Sequence, residues 1–119
     1  KVHKGRLPFA QATVAGDFMF VCCMGMDGEG KFALGDARGQ TQAAIDNIKA
    51  LLGEVGATLD DVVKCTIYGS DRAYWEPMNE VYFANFSESP PHRVSCIVDG
   101  LGSPECLVEI DATAYLGQR

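Results

Sequence analysis

Residues 90–98, Pro90-Pro91-His92-Arg93-Val94-Ser95-Cys96-Ile97-Val98, and residues 107–115, Leu107-Val108-Glu109-Ile110-Asp111-Ala112-Thr113-Ala114-Tyr115, set the architecture of this 119-residue chain. Each is a short apolar run with a period of two, the pattern of a strand whose side chains alternate between faces. In the first run Val94, Cys96 and Val98 share one face, expected toward the core, while Arg93, Ser95 and Ile97 share the other. In the second, Val108, Ile110, Ala112 and Ala114 form the apolar face, and Glu109, Asp111, Thr113 and Tyr115 point the opposite way. The turn-rich segment Asp99-Gly100-Leu101-Gly102-Ser103-Pro104-Glu105 between them fits a hairpin loop or a longer crossover. If the two strands pair, Arg93 and Glu109 lie on one face, away from the core.

Upstream, two amphipathic segments separate the strands. From about Asp36 to Val55, Ala44, Ile45, Ile48, Leu51, Leu52 and Val55 fall at helical spacing on one buried stripe, and Gly56 suits the stop. Gln40, Asp46, Asn47, Lys49 and Gly53 are expected to face outward. The second helix starts near Ser70-Asp71, either of which can cap it, and carries Trp75, Met78, Val81, Tyr82 and Phe86 on its apolar side. Pro77 predicts that regular helix begins only near Glu76, after a looser turn. That Met and aromatic stripe reads as core and not as a ligand box.

Further strands are predicted at Ala10–Val14, Phe18–Cys23 and Val62–Tyr68, with turns at Ala15-Gly16-Asp17 and Asp27-Gly28-Glu29-Gly30. The order β-β-(β)-α-β-α-β-β describes an α+β fold of one domain spanning residues 1–119, a single sheet with both helices on one face. The other face, expected to hold Arg93, Ser95, Ile97, Glu109, Thr113 and Tyr115, is too mixed for a purely solvated surface. A second copy of the chain is the economical cover, which predicts a homo-oligomer with the arginine and the glutamate near the contact.

Composition narrows the function. The 47% apolar and 22% charged content is that of a soluble globular protein. No apolar run approaches the roughly 18–20 residues of a membrane helix, and no secretory signal is visible, so the expected location is the cytoplasm, or an organelle lumen after loss of a transit peptide. A net charge of −6 with ten scattered basic residues argues against nucleic-acid binding. Five cysteines without CxxC spacing point to a reducing compartment, and of the neighbours Cys22 and Cys23 only one can face the core. His3 is read as part of a disordered terminus and His92 as a loop residue; two lone histidines make no metal site.

Several motifs run in order along the chain: Pro8-Phe9-Ala10-Gln11-Ala12, Gly39-Gln40-Thr41 with Asn47-Ile48-Lys49-Ala50-Leu51-Leu52, Leu59-Asp60-Asp61-Val62-Val63-Lys64, Met78-Asn79-Glu80-Val81-Tyr82 with Phe86, Pro91-His92-Arg93, and Val108-Glu109-Ile110-Asp111-Ala112. Together they resemble the RidA/YjgF family of small enamine/imine deaminases. The resemblance implies a chorismate-mutase-like fold and a homotrimer with clefts between subunits. It implies hydrolysis of 2-imino acids, tautomers of 2-aminoacrylate-type enamines, to 2-keto acids and ammonia, with no metal or organic cofactor. Arg93 corresponds to the family's carboxylate-gripping arginine, and Glu109 to the glutamate that positions water. Asn79 matches a further cleft position. Phe9 stands where a tyrosine is frequent, Ser95 where cysteine is frequent, and Gly25 where a ligand-approaching glycine is expected, although the segment reads Cys22-Cys23-Met24-Gly25-Met26. These departures leave open a pathway-specific imine such as 2-aminomuconate, or a noncatalytic module that binds small carboxylates. A ribonuclease, ascribed to some relatives, is the least favoured by the acidic charge.

Overall fold

The computed structural model describes residues 9–117; His3 and Pro8 lie outside them. The elements are β1 (Ala12–Ala15), β2 (Phe18–Met24), α1 (Ala37–Gly53), β3 (Val62–Gly69), α2 (Trp75–Asn85), β4 (His92–Ile97) and β5 (Val108–Tyr115), with 3-10 turns at Leu59–Asp61 and Arg72–Tyr74. β1 and β2 form the expected hairpin around Gly16, whose φ of 59° is the left-handed value a tight turn needs. Asp36 caps α1 by accepting the Gly39 N–H at 2.9 Å. Asp71 caps the looser turn that precedes α2, accepting from the Ala73 N–H at 2.8 Å, which leaves Pro77 in the first turn of the regular helix where it breaks no bond. The possible third strand before α1 is no more than a bridge between Met26 and Phe32.

The five strands are ordered β1-β2-β5-β3-β4. β4 runs parallel to β3 through the α2 crossover, and β5 inserts antiparallel between β2 and β3. The segment from Asp99 to Glu105 is therefore a crossover that carries the chain past β3, and β4 and β5 are not a hairpin. Met19, Val21, Cys23, Cys65, Ile67, Val108, Ile110, Ala112 and Ala114 bury one face of the sheet against Ile45, Ile48, Leu52, Met78, Tyr82 and Phe86 of the helices and the turn after α2.

The register also corrects the faces assigned to β4. Arg93 is paired with Cys65 and Ser95 with Ile67, and both partners are fully buried on the helix side. Arg93 and Ser95 thus point under α2, while Val94, 45% exposed, and Cys96 join Thr66 and Tyr68 on the open face. Glu109 and Asp111 lie on the open face as expected. Parallel pairing with β3 overrides the apolar pattern of this edge strand, because the rings of α2 accept a guanidinium.

Two α1 residues expected at the surface face inward. Gln40 is fully buried: its amide donates to the Ala33 and Glu105 carbonyls at 3.0 and 2.9 Å and accepts the Leu107 N–H at 2.8 Å. It ties the start of α1 to the chain entering β5. Asn47 is half-buried and donates to the Met24 and Met26 carbonyls, fastening the end of β2 to the helix.

Candidate functional site

The helix side of β4 holds a caged cation. Trp75, Asn79, Tyr82 and Phe83 recur at i, i+4, i+7 and i+8 and so share one side of α2. The Arg93 guanidinium carbon lies 4.6 Å from the Tyr82 ring centroid, 5.6 Å from Phe83 and 5.8 Å from Trp75, within cation–π range of all three. Its Nε donates to Ser95 Oγ at 2.8 Å and its Nη2 to Asn79 Oδ1 at 2.5 Å. Buried Nη1 has no hydrogen-bond partner among the described residues. Burial lowers the Arg93 pKa, against the opposing influence of Tyr82 and Cys65, but a guanidinium starts so high that it stays charged. The result is a positive charge fixed at one point, with Nη1 as the nitrogen still to be partnered among the described residues.

The open face carries the acid. Cys22 lies opposite Asp111 and Met24 opposite Glu109, so Cys22 and Glu109 are diagonal neighbours. The Cys22 thiol donates to Glu109 Oε2 at 3.1 Å. With Tyr68, Leu101 and Asp111 these two residues line a cavity of about 430 Å³. Burial, and then the hydrogen bond and charge of Glu109, push the Cys22 thiol well above its ordinary range. Cys22 is therefore a protonated donor and not a nucleophile. Burial and the Glu109 charge likewise raise the Asp111 carboxyl.

Of the residues singled out in the sequence, the structure brings together Arg93, Ser95 and Asn79. It places Glu109 on the opposite side of the sheet. Gly25 is buried just beyond β2, where an added Cβ would collide with the Gln40 carbonyl, so this glycine permits close approach of the strand end to α1. It stands at the helix and not beside Arg93. Phe9 is 54% exposed. Trp75 and Tyr82 were read only as core and Phe83 was not singled out, although their spacing with Asn79 places all four on one side of α2. Cys22, Tyr68 and Leu101 left no comparable signal. Of Cys22 and Cys23, one of which was expected to face the core, Cys23 is the buried one, and the core-face reading of Cys96 fails. Among the described residues no group of three His, Cys, Asp or Glu could hold a metal ion, and no helix is long and apolar enough to cross a membrane.

The family model for endoribonuclease L-PSP matches residues 3–116, nearly the whole chain. The chain belongs to the YjgF/RidA family. Among curated relatives, a RutC family protein of Pyrococcus abyssi is 44% identical over 110 residues, which cover 91% of this chain and 86% of the relative. Among solved YjgF/RidA structures, RidA of the Antarctic bacterium Psychrobacter superimposes with a TM-score of 0.86 at 29% identity, covering 97% of this chain and 94% of that one. Escherichia coli TdcF with bound serine gives 0.86 at 25% identity, covering 93% and 90%. The single sheet with two helices on one face is thus the YjgF/RidA fold.

Proposed function

We propose that this protein hydrolyses small 2-imino acids to 2-keto acids and ammonia, in clefts between the subunits of a homotrimer. The observation that carries the reading is the Arg93 cage: a guanidinium held by Ser95, Asn79 and Tyr82, with Nη1 left without a partner among the described residues. Such a group suits a substrate carboxylate beside a reacting carbon. The bound serine of TdcF, a small molecule with an α-carboxylate and an α-nitrogen, supports the same ligand class.

The two faces of the sheet supply different parts of the reaction. Arg93 binds the carboxylate and neutralises it, which favours approach of a nucleophile to the adjacent carbon. Glu109 accepts a hydrogen bond from water and aims it. The water oxygen adds to the protonated imine carbon as the C=N π pair moves to nitrogen. One proton passes from the added water to that nitrogen; the C–N bond then breaks as the C=O bond forms, and the departing ammonia carries off the remaining hydroxyl proton as ammonium. Because Arg93 and Glu109 of one chain face opposite sides, a cleft that uses both takes them from two copies. The apolar side chains exposed on the open face, Phe18 at 41%, Phe20 at 48% and Val94 at 45%, support its being covered by another copy.

Binding without turnover is a second reading, favoured by one feature: the Nε and Nη2 edge of Arg93 is already engaged by Ser95 and Asn79. Ammonia release from 2-iminopropanoate and 2-iminobutanoate, generated in situ, separates the two. Wild type should exceed the spontaneous rate and Arg93→Ala should not. Binding of pyruvate by wild type without acceleration would select the binding module.

A further inference from the structure

We propose that Cys22 is a positioning residue for the Glu109 carboxylate, holding one of its oxygens so that the other is aimed at water. The proposal rests on the deaminase reading and adds a residue to its machinery. A glutamate on a strand has three side-chain torsions to fix, and on the open face it also stands two residues from Asp111, a like charge on the same side of β5. A lone carboxylate there would swing away from its neighbour and toward solvent. The Cys22 Sγ–H to Oε2 contact, 3.1 Å long, is the hydrogen bond the structure shows to Glu109 among the described residues. It fixes Oε2 against β2, and Glu109 lines a cavity with Cys22, Asp111, Tyr68 and Leu101 in which the other oxygen would meet water.

The thiol suits this task because it is present as S–H. Burial and the adjacent carboxylates hold it protonated throughout the working range, so it donates and never competes as an anion. Its neighbour Cys23 points into the core and cannot substitute for it. A hydroxyl on the same Cβ would make a similar bond, whereas a methyl group would leave the carboxylate unheld.

The test combines steady-state kinetics with the infrared S–H stretch of the intact protein, the Cys22 band being the one that disappears in Cys22→Ser. Replacing the charged acceptor in Glu109→Gln should shift that band to higher wavenumber, because a hydrogen bond to a carboxylate is stronger than one to an amide. Cys22→Ala should lower kcat by about tenfold or more with KM changed little, and Cys22→Ser should recover most of the loss, as expected for a bond to a charged group that acts in the transition state. An unmoved band in Glu109→Gln overturns the contact. A shifted band with undiminished kcat in Cys22→Ala, or with no recovery in Cys22→Ser, overturns the positioning role. Wild type that fails to exceed the spontaneous rate overturns the deaminase reading beneath it, and the band still reports on the contact alone.

Discussion

Arg93 and Glu109 lie on opposite faces of one sheet, with β3 between their strands: Arg93 points under α2 beside buried Cys65, and Glu109 points to the open face beside Tyr68. A single chain therefore presents a caged guanidinium on one side and a carboxylate on the other, the two groups to which the proposed reaction assigns substrate binding and water orientation.

The cage around Arg93 fixes how its partners should act. Asn79 and Ser95 each hold one nitrogen of the guanidinium, so their loss lets the cation drift before substrate arrives. Asn79→Ala and Ser95→Ala should each raise KM by about tenfold, the scale of one hydrogen bond to a charged group. Steady-state ammonia release checks this, and Arg93→Ala should be the more severe change.

Gln40 satisfies three backbone groups from two distant segments while fully buried. In Gln40→Ala the Leu107 N–H and the carbonyls of Ala33 and Glu105 lose their partner, and each unsatisfied group costs about 1–3 kcal/mol. Urea denaturation should show a loss of at least about 2 kcal/mol, with the transition remaining cooperative.

Asp111 is expected to give stability a pH dependence. Its folded carboxyl pKa is raised by burial and by Glu109, so the folded state binds that proton more tightly than the unfolded chain does. The group therefore costs no stability below the ordinary carboxylate range, and the cost grows as pH rises through the interval up to its raised value. Asp111→Asn should be more stable than wild type at neutral pH, by a small margin because the side chain is only partly withdrawn from solvent, and the difference should vanish in acid. Urea midpoints measured across that pH range check the direction.

The sheet, both helices and the loose turn before α2 were legible because each rests on local chemistry: a period, an aspartate that caps the turn, a proline. β5 was read correctly since a central strand buries one face completely, so Val108, Ile110, Ala112 and Ala114 leave no ambiguity. β4 was read with its faces reversed. At the sheet edge, Val94 and Cys96 mimic a core stripe while Arg93 is buried against rings that are distant in sequence, and no periodicity reports a cation–π contact. Gln40 was misplaced for a similar reason, since the backbone groups it satisfies belong to segments about 7 and 65–67 residues away. The Arg93, Asn79 and Ser95 cluster followed from motif likeness, whereas the Cys22 contact required the β2–β5 register.

The most direct test mixes two inactive variants. Arg93→Ala and Glu109→Gln, each purified and each at the spontaneous rate of imine hydrolysis, are unfolded together, refolded and assayed. If each cleft draws Arg93 from one copy and Glu109 from the next, about a quarter of the clefts in randomly mixed trimers are intact, and ammonia release should return to roughly that fraction of wild type. Co-refolded protein that stays at the spontaneous rate, while wild type carried through the same procedure is active, would contradict a site assembled from opposite faces of two subunits.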